Sequence, residues 1–106
     1  MTDKEIKHRM STIQRSILIS LYLLERKLEG PIEVRYLRRI LNKDRCERGV
    51  PELHASNFSV SCKMLNQRGF LHKFRDKVTL CVAYKLTEKG VIEGEKEYTK
   101  LLNELE

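Results

Sequence analysis

The sequence predicts an α+β fold that is mainly helical, with four helices, one β-hairpin and one very short strand. Three observations carry this. Apolar residues recur at helical spacing in four separate segments. Residues 70–86 instead alternate in part and are rich in Phe, Val, Thr and Tyr. The chain has 106 residues, the length of one domain, and no internal repeat or low-complexity stretch divides it. Residues 1–106 are therefore read as one unit.

Residues 1–10 are polar and are expected to be loosely ordered, although Thr2 to Glu5 spells a capping box. A second box, Ser11 to Gln14, directly precedes the apolar run "ILISLYLL" and is the better helix start. That first, long helix is expected to reach about Glu29, where Gly30 and Pro31 stop it. Ile13, Ile17, Leu21, Leu24 and Leu28 mark one stripe. Leu18, Ile19, Tyr22 and Leu23 widen it almost to the full circumference. A helix apolar all round is covered on more than one side, and a second subunit is the expected second cover.

Pro31 holds Gly30 out of helical geometry, so residues 31–34 are expected to be extended and to give a strand of one or two residues. A short helix follows over 33–42, with Val34, Leu37, Ile40 and Leu41 inward and Arg35, Arg38 and Arg39 outward. Residues 43–53 read as a charged loop longer than a tight turn, with Lys43, Arg45 and Arg48 available for contacts. The third helix, about 55–68, buries Phe58, Cys62 and Leu65 at i, i+4 and i+7, and Gly69 ends it. Strands over 70–75 and 78–86 join at a turn near Asp76. Thr87 then caps a last helix over 87–106 with an apolar seam of Val91, Tyr98, Leu101, Leu102 and Leu105. A helix–turn–helix followed by a two-stranded hairpin is the winged-helix arrangement.

Two motifs carry a resemblance. "CKMLNQRGFL" (62–71) resembles the end of a winged-helix recognition helix. "YKLTEKG" (84–90) is similar to the wing end and last-helix start of MarR- and PadR-type transcriptional regulators. The likeness runs over about residues 12–106, with the specific motifs in 56–90, and it points to the superfamily rather than to one member. It implies a homodimer on double-stranded DNA. The third helix would sit in the major groove, the wing (72–78) on the backbone or minor groove, and the terminal helices would pair the subunits. The dimer residues so implied are Ile13, Ile17, Leu21, Leu24, Tyr98, Leu101, Leu102 and Leu105.

The charge pattern agrees. Net charge is +6, but residues 87–106 hold six glutamates against three lysines, so the body of the chain is more basic than the total. A basic body with an acidic end fits a polyanion partner for the body alone. From Leu53 to Arg75 there is no Asp or Glu. With Phe58, Cys62 and Leu65 inward, Ser56, Val60, Lys63 and Gln67 point away, flanked by Asn57, Ser59 and Met64. These side chains can read base edges: Asn and Gln pair with adenine, Lys favours guanine or phosphate, Ser donates or accepts, and an apolar group meets a thymine methyl. A carboxylate there would repel phosphate. On the wing, Lys73, Arg75 and Lys77 suit phosphates; protection of an edge strand would use the same residues. Arg35, Arg38 and Arg39 would flank the backbone, or simply face water.

Other classes find little support. No phosphate-binding glycine loop, zinc-protease helix or nucleophile elbow occurs, so no enzyme and no cofactor are expected. His8, His54 and His72 are scattered. Cys46, Cys62 and Cys81 are read as reduced thiols, and with His54 and His72 they are strung too loosely for zinc. The apolar run at 17–24 is far shorter than a bilayer span and lacks a cleavage site, so a cytoplasmic protein without a membrane partner is expected. The rival readings are a winged-helix protein–protein adaptor, for which Val60 and Met64 are the exposed apolar candidates on the third helix, and a single-strand or replication-linked DNA-binding module, for which stacking aromatics are sparse on the exposed faces. No small-molecule effector can be named from the sequence.

Overall fold

The computed structural model describes residues 10–105. The Thr2–Glu5 box, His8 and the expected looseness of residues 1–9 lie outside the described residues.

Helix α1 (Thr12–Glu25) starts at the expected box. Ser11 Oγ accepts from Gln14 N at 3.1 Å, and Gln14 Oε1 accepts from Ser11 N at 3.2 Å. The helix ends earlier than Glu29. Lys27 N and Leu28 N both turn back to the Leu24 carbonyl, at 3.0 and 2.8 Å, and Gly30 takes φ +84°. Leu28 thus leaves the stripe and is exposed.

Strand β1 (Ile32–Glu33) leads straight into helix α2 (Val34–Glu47). The expected loop over 43–53 is corrected: residues 43–47 are helical, and the connection is only 48–54. Nothing in 43–47 breaks a helix, and Arg48 pairs with Asp44 at 2.9 Å, one turn back. The stop comes at Gly49, φ +72°. Its N–H donates to Cys46 O (3.1 Å) and Val50 N to Arg45 O (2.8 Å), the paired bonds of a Schellman end.

Helix α3 (Ala55–Gln67) closes in the same way at Gly69, with Gly69 N to Asn66 O at 3.1 Å and Phe70 N to Leu65 O at 2.9 Å. Strands β2 (Leu71–Arg75) and β3 (Val82–Leu86) form the wing, with a broader tip, 76–81, than the expected turn. β1 adds to β3, so the sheet is antiparallel with order β1-β3-β2; Tyr84 stands opposite both Ile32 and Lys73. Ahead of helix α4 (Glu88–Leu105), the Thr87 hydroxyl accepts from Gly90 N (3.0 Å) and donates to Gly69 O (2.6 Å).

One apolar core draws on α1, β1, α2, α3 and both wing strands; Ile17, Leu18, Leu21, Leu37, Phe58, Cys62 and Leu65 lie at its centre. Each such Leu, Ile or Phe contributes on the order of 1.5–3 kcal/mol relative to exposure. Ile17 and Leu21 are 0% exposed. Their place in a subunit interface is therefore corrected: they fill the protomer's own core. The second cover of α1 is α4. Gly94 lets the two helices approach, since a Cβ there would stand 3.1 Å from the Leu18 carbonyl and from Tyr22 Cβ. Beside it the buried Glu97 takes Arg15 Nε at 2.8 Å, and the Tyr22 and Tyr98 rings meet at 5.9 Å. A buried carboxylate is tolerable only with such a partner. At the other end of α1, Glu25 accepts from Leu86 N at 2.8 Å and faces Lys85 at 3.7 Å, tying helix to sheet; burial pushes its pKa up, against these two contacts.

Candidate nucleic-acid interface

Among the described residues, α3 is the one helix that holds no acid, and its outward face is polar apart from Val60 and Met64. Its inward face is Phe58, Ser61, Cys62 and Leu65, all buried. Burial pushes the Cys62 thiol up to about 12, which keeps it neutral in the core. Ser56, Asn57, Ser59, Val60, Lys63 and Gln67 are all exposed on the other side, as expected from the spacing. Ser61 was not anticipated as buried. His54 stands at the N-cap but its side chain makes no capping bond, and the first turn holds no acid. The amide end of α3 is thus left open, with its partial positive charge unopposed.

The segment that feeds α3 is clamped. Asn42 Oδ1 accepts from Leu53 N at 2.7 Å, while its amide and Arg38 both reach the Leu53 carbonyl at 3.4 Å. Arg45 Nε holds the Pro51 carbonyl at 2.8 Å. Sequence reasoning missed Asn42. It also placed Arg38 and Arg45 as outward contacts, whereas both are partly buried and help fix the turn. Arg35 and Arg39 are exposed and, with Lys43, line a groove of about 600 Å³ that also takes in Glu52 from the turn.

On the wing, Lys73, Arg75 and Lys77 are all exposed. The strand register puts Lys73 and Arg75 opposite Tyr84 and Val82, on the sheet face shared with the buried Leu71 and Tyr84. Burial pushes the Tyr84 hydroxyl up, and the nearby Arg75 charge opposes that. Asp76, the acid at the tip, is a structural residue. Its carboxylate accepts from Val78 N at 2.7 Å and from Thr79 N at 3.0 Å, and these backbone bonds lower its pKa.

The cations divide into two sets. Arg15, Arg26, Arg48, Lys85 and Lys89 bind acids, a tyrosine or a carbonyl inside the fold, and Arg68 meets Gln14 and the Phe70 ring. Arg35, Arg39 and Lys43 on α2, Lys63 on α3 and Lys73 and Lys77 on the wing make no hydrogen bond or ion pair among the described residues, and neither do the side chains of Lys27 after α1 and Lys96 on α4. Among the described residues there is no cluster of three metal-ligating side chains, and no helix is long and apolar enough to cross a membrane.

Of the remaining dimer candidates, Leu102 and Leu105 are exposed on α4, while Ile13, Leu24, Tyr98 and Leu101 are partly buried.

No protein-family model matches the sequence, and no curated protein matches it. Solved structures do. The chain is similar to the adhesin competence repressor AdcR of Streptococcus pyogenes, at 16% identity and a TM-score of 0.66, over 96% of this chain and 65% of that one. It is similar to SSV1 F-93 at 21% identity and a TM-score of 0.66, over 89% of this chain and 86% of that one. A mutant of Lactococcus lactis ZitR in apo form aligns at 16% identity and a TM-score of 0.60, over 98% of this chain and 67% of that one. At such identities the likeness is one of architecture, and it agrees with the element order and sheet described above: the chain has the winged helix-turn-helix fold.

Proposed function

We propose that this chain is a sequence-specific double-stranded DNA-binding protein that acts as a dimeric transcriptional regulator, as a repressor or autoregulator. The observation that carries the reading is the placement of uncommitted charge. The exposed cations without internal partners include Arg35 and Arg39 on the helix before α3, Lys63 on the acid-free α3 itself, and Lys73 and Lys77 on the wing that follows it. In this reading Ser56, Asn57, Ser59, Val60, Lys63 and Gln67 read base edges in the major groove. Lys73, Arg75, Lys77, Arg35 and Arg39 hold phosphates, with Arg38 supporting them from the turn. One structural neighbour is a repressor by name, which supports the regulatory half of the proposal.

Dimerisation is proposed through α4, where Leu102 and Leu105 leave apolar surface on the helix, with Tyr98, Leu101, Ile13 and Leu24 beside them. Two protomers related by a two-fold axis would meet half-sites about one helical turn apart, about 34–36 Å, on a near-palindromic operator. The test is fluorescence anisotropy on a mixed-sequence duplex at two salt concentrations. Binding that weakens steeply with salt is expected. No binding at low salt would sink the proposal. It would then favour the adaptor reading, for which exposed Val60 and Met64, one turn apart on α3, are the contact.

A further inference from the structure

The wing tip carries two apolar side chains that phosphate contact does not explain. Val78 is 89% exposed and Leu80 is 62% exposed. Leu80 also adopts φ +62°, the one non-glycine residue in the left-handed region among the described residues. A leucine is strained there, and Gly or Asn would relieve the strain. The loop is built rather than slack. Asp76 Oδ1 holds Val78 N and Thr79 N, Asp76 O accepts from Leu80 N at 2.8 Å, and Asp76 N donates to Cys81 O at 2.9 Å. Arg75 Nη1 reaches the Leu80 carbonyl at 3.4 Å, and Thr79 Oγ1 accepts from Cys81 N at 3.3 Å. These bonds hold the two apolar side chains out into water. Lys77 directly precedes Val78 and Arg75 reaches the Leu80 carbonyl, with Lys73 one residue pair further down the same sheet face, while the carboxylate of Asp76 is taken up by the turn.

A fixed apolar point next to exposed cations fits a polyanion with an apolar interior. Duplex DNA offers that at the sugar edges and base steps of its minor groove, where inserted Leu, Ile, Phe or Met side chains unstack a step and kink the helix. We infer that Val78 and Leu80 form a wedge that enters the minor groove beside the α3 site and bends the duplex. This rests on the DNA-binding reading above and adds DNA deformation to it. Specificity at positions that α3 does not touch follows, because bendable steps accept the wedge at lower cost.

The experiment compares the full chain, V78S/L80N and K73A/K77A on a mixed-sequence duplex with a donor and an acceptor dye at its ends. Both apolar positions are exposed, and Asn tolerates the Leu80 backbone, so thermal unfolding should confirm an intact fold. The wild type is expected to raise energy transfer as it binds. V78S/L80N should bind on the order of tenfold more weakly, with unchanged salt dependence and no rise in transfer at saturation. K73A/K77A should keep the bend and flatten the salt dependence by about 1.8 in log–log slope per bound protomer. Equal binding and bending by V78S/L80N and wild type would remove the wedge and leave DNA binding standing. A wild type that ignores the duplex would remove both. So would binding only to anionic lipid vesicles run in parallel, a result that would reassign the tip to a membrane surface.

Discussion

Replacing Asn42 by Ala tests what holds α3 in place. Asn42 offers both an acceptor and a donor to one residue: its carbonyl takes Leu53 N at 2.7 Å and its amide reaches Leu53 O at 3.4 Å. Leu53 is itself a core residue, buried two positions before α3 begins. In N42A the Leu53 carbonyl keeps Arg38, but the Leu53 amide loses its acceptor inside the protein. Leaving a buried donor unmade costs about 1–3 kcal/mol, and the weaker 3.4 Å bond adds little to this. At this chain length each kcal/mol lowers Tm by roughly 4–8 °C. N42D keeps the acceptor, loses the donor and gains a charge near Arg38, so it should lose less than N42A. Urea unfolding gives the free energies, and limited trypsin digestion reads the turn directly, because Arg48 stands exposed at its start. Faster cleavage there should accompany the loss of stability. If N42A stays within about 0.5 kcal/mol of wild type, as an ordinary surface substitution does, the clamp does not set the α2–α3 turn.

Other perturbations follow from the same geometry. G90A should destabilise by about 1–3 kcal/mol or more, because its Cβ would run into the Phe70 carbonyl, which already accepts Thr87 N at 3.0 Å; calorimetry checks this. Cys46 should react quickly with a thiol reagent and Cys62 only on unfolding; a fast-reacting Cys62 would contradict its burial. The Cys62 pKa is raised in the fold from 9.0 to about 12, so its contribution is full below pH 9 and declines as pH rises through that window, and C62A should remove that part of the alkaline loss. Asp76 runs the other way. Its pKa is lowered by the Thr79 and Val78 amides, so the wing turn keeps this support above 3.8 and loses it as pH falls below, which amide exchange in the D76N variant should reproduce at neutral pH.

Much of the fold was legible because its signals are local. Ser11 and Gln14 announce α1, the Phe58–Cys62–Leu65 spacing announces the inward face of α3, and Gly69 announces its end. What was missed is non-local or was misread by type. Residues 43–47 read as a loop by their charge, although Lys, Arg and Glu are good helix formers. Gly49, which stops the helix through a positive φ, was the better signal. The two-residue strand at 32–33 was expected, but not its place in the wing sheet, because its partner β3 lies far along the chain. The cover of α1 was assigned to a second subunit because a stripe records that a face is buried, not what buries it. Gly94 and Glu97 on α4 were the available clue: a small residue and a carboxylate one turn apart mark close contact with a helix that brings its own cation, here Arg15.

The candidate site was legible for a different reason. A sequence shows where charge occurs but not which charges the fold uses up, and this chain has 21 basic residues. Arg38 and Arg45 resemble Arg35 and Arg39 in the sequence, one or two turns apart on the same helix. Yet the first pair closes on carbonyls of the turn and the second pair stays in water. The distinction follows from helical phase. Taking Leu37 and Leu41 as the inward side, Arg38 and Arg45 sit beside it, next to the turn, while Arg35 and Arg39 lie opposite. Phase alone could have separated them once α2 was known to continue to Glu47. α3 needed no such correction, because all its polar outward residues share one side and no acid interrupts them. Its DNA-facing assignment therefore rests on a pattern that the fold leaves intact, whereas that of α2 rests on the two arginines the fold does not consume. R35A/R39A should accordingly weaken duplex binding without loss of stability, and R38A should lower stability first. The opposite order would mean that the turn, and not the groove, is what the outer arginines serve.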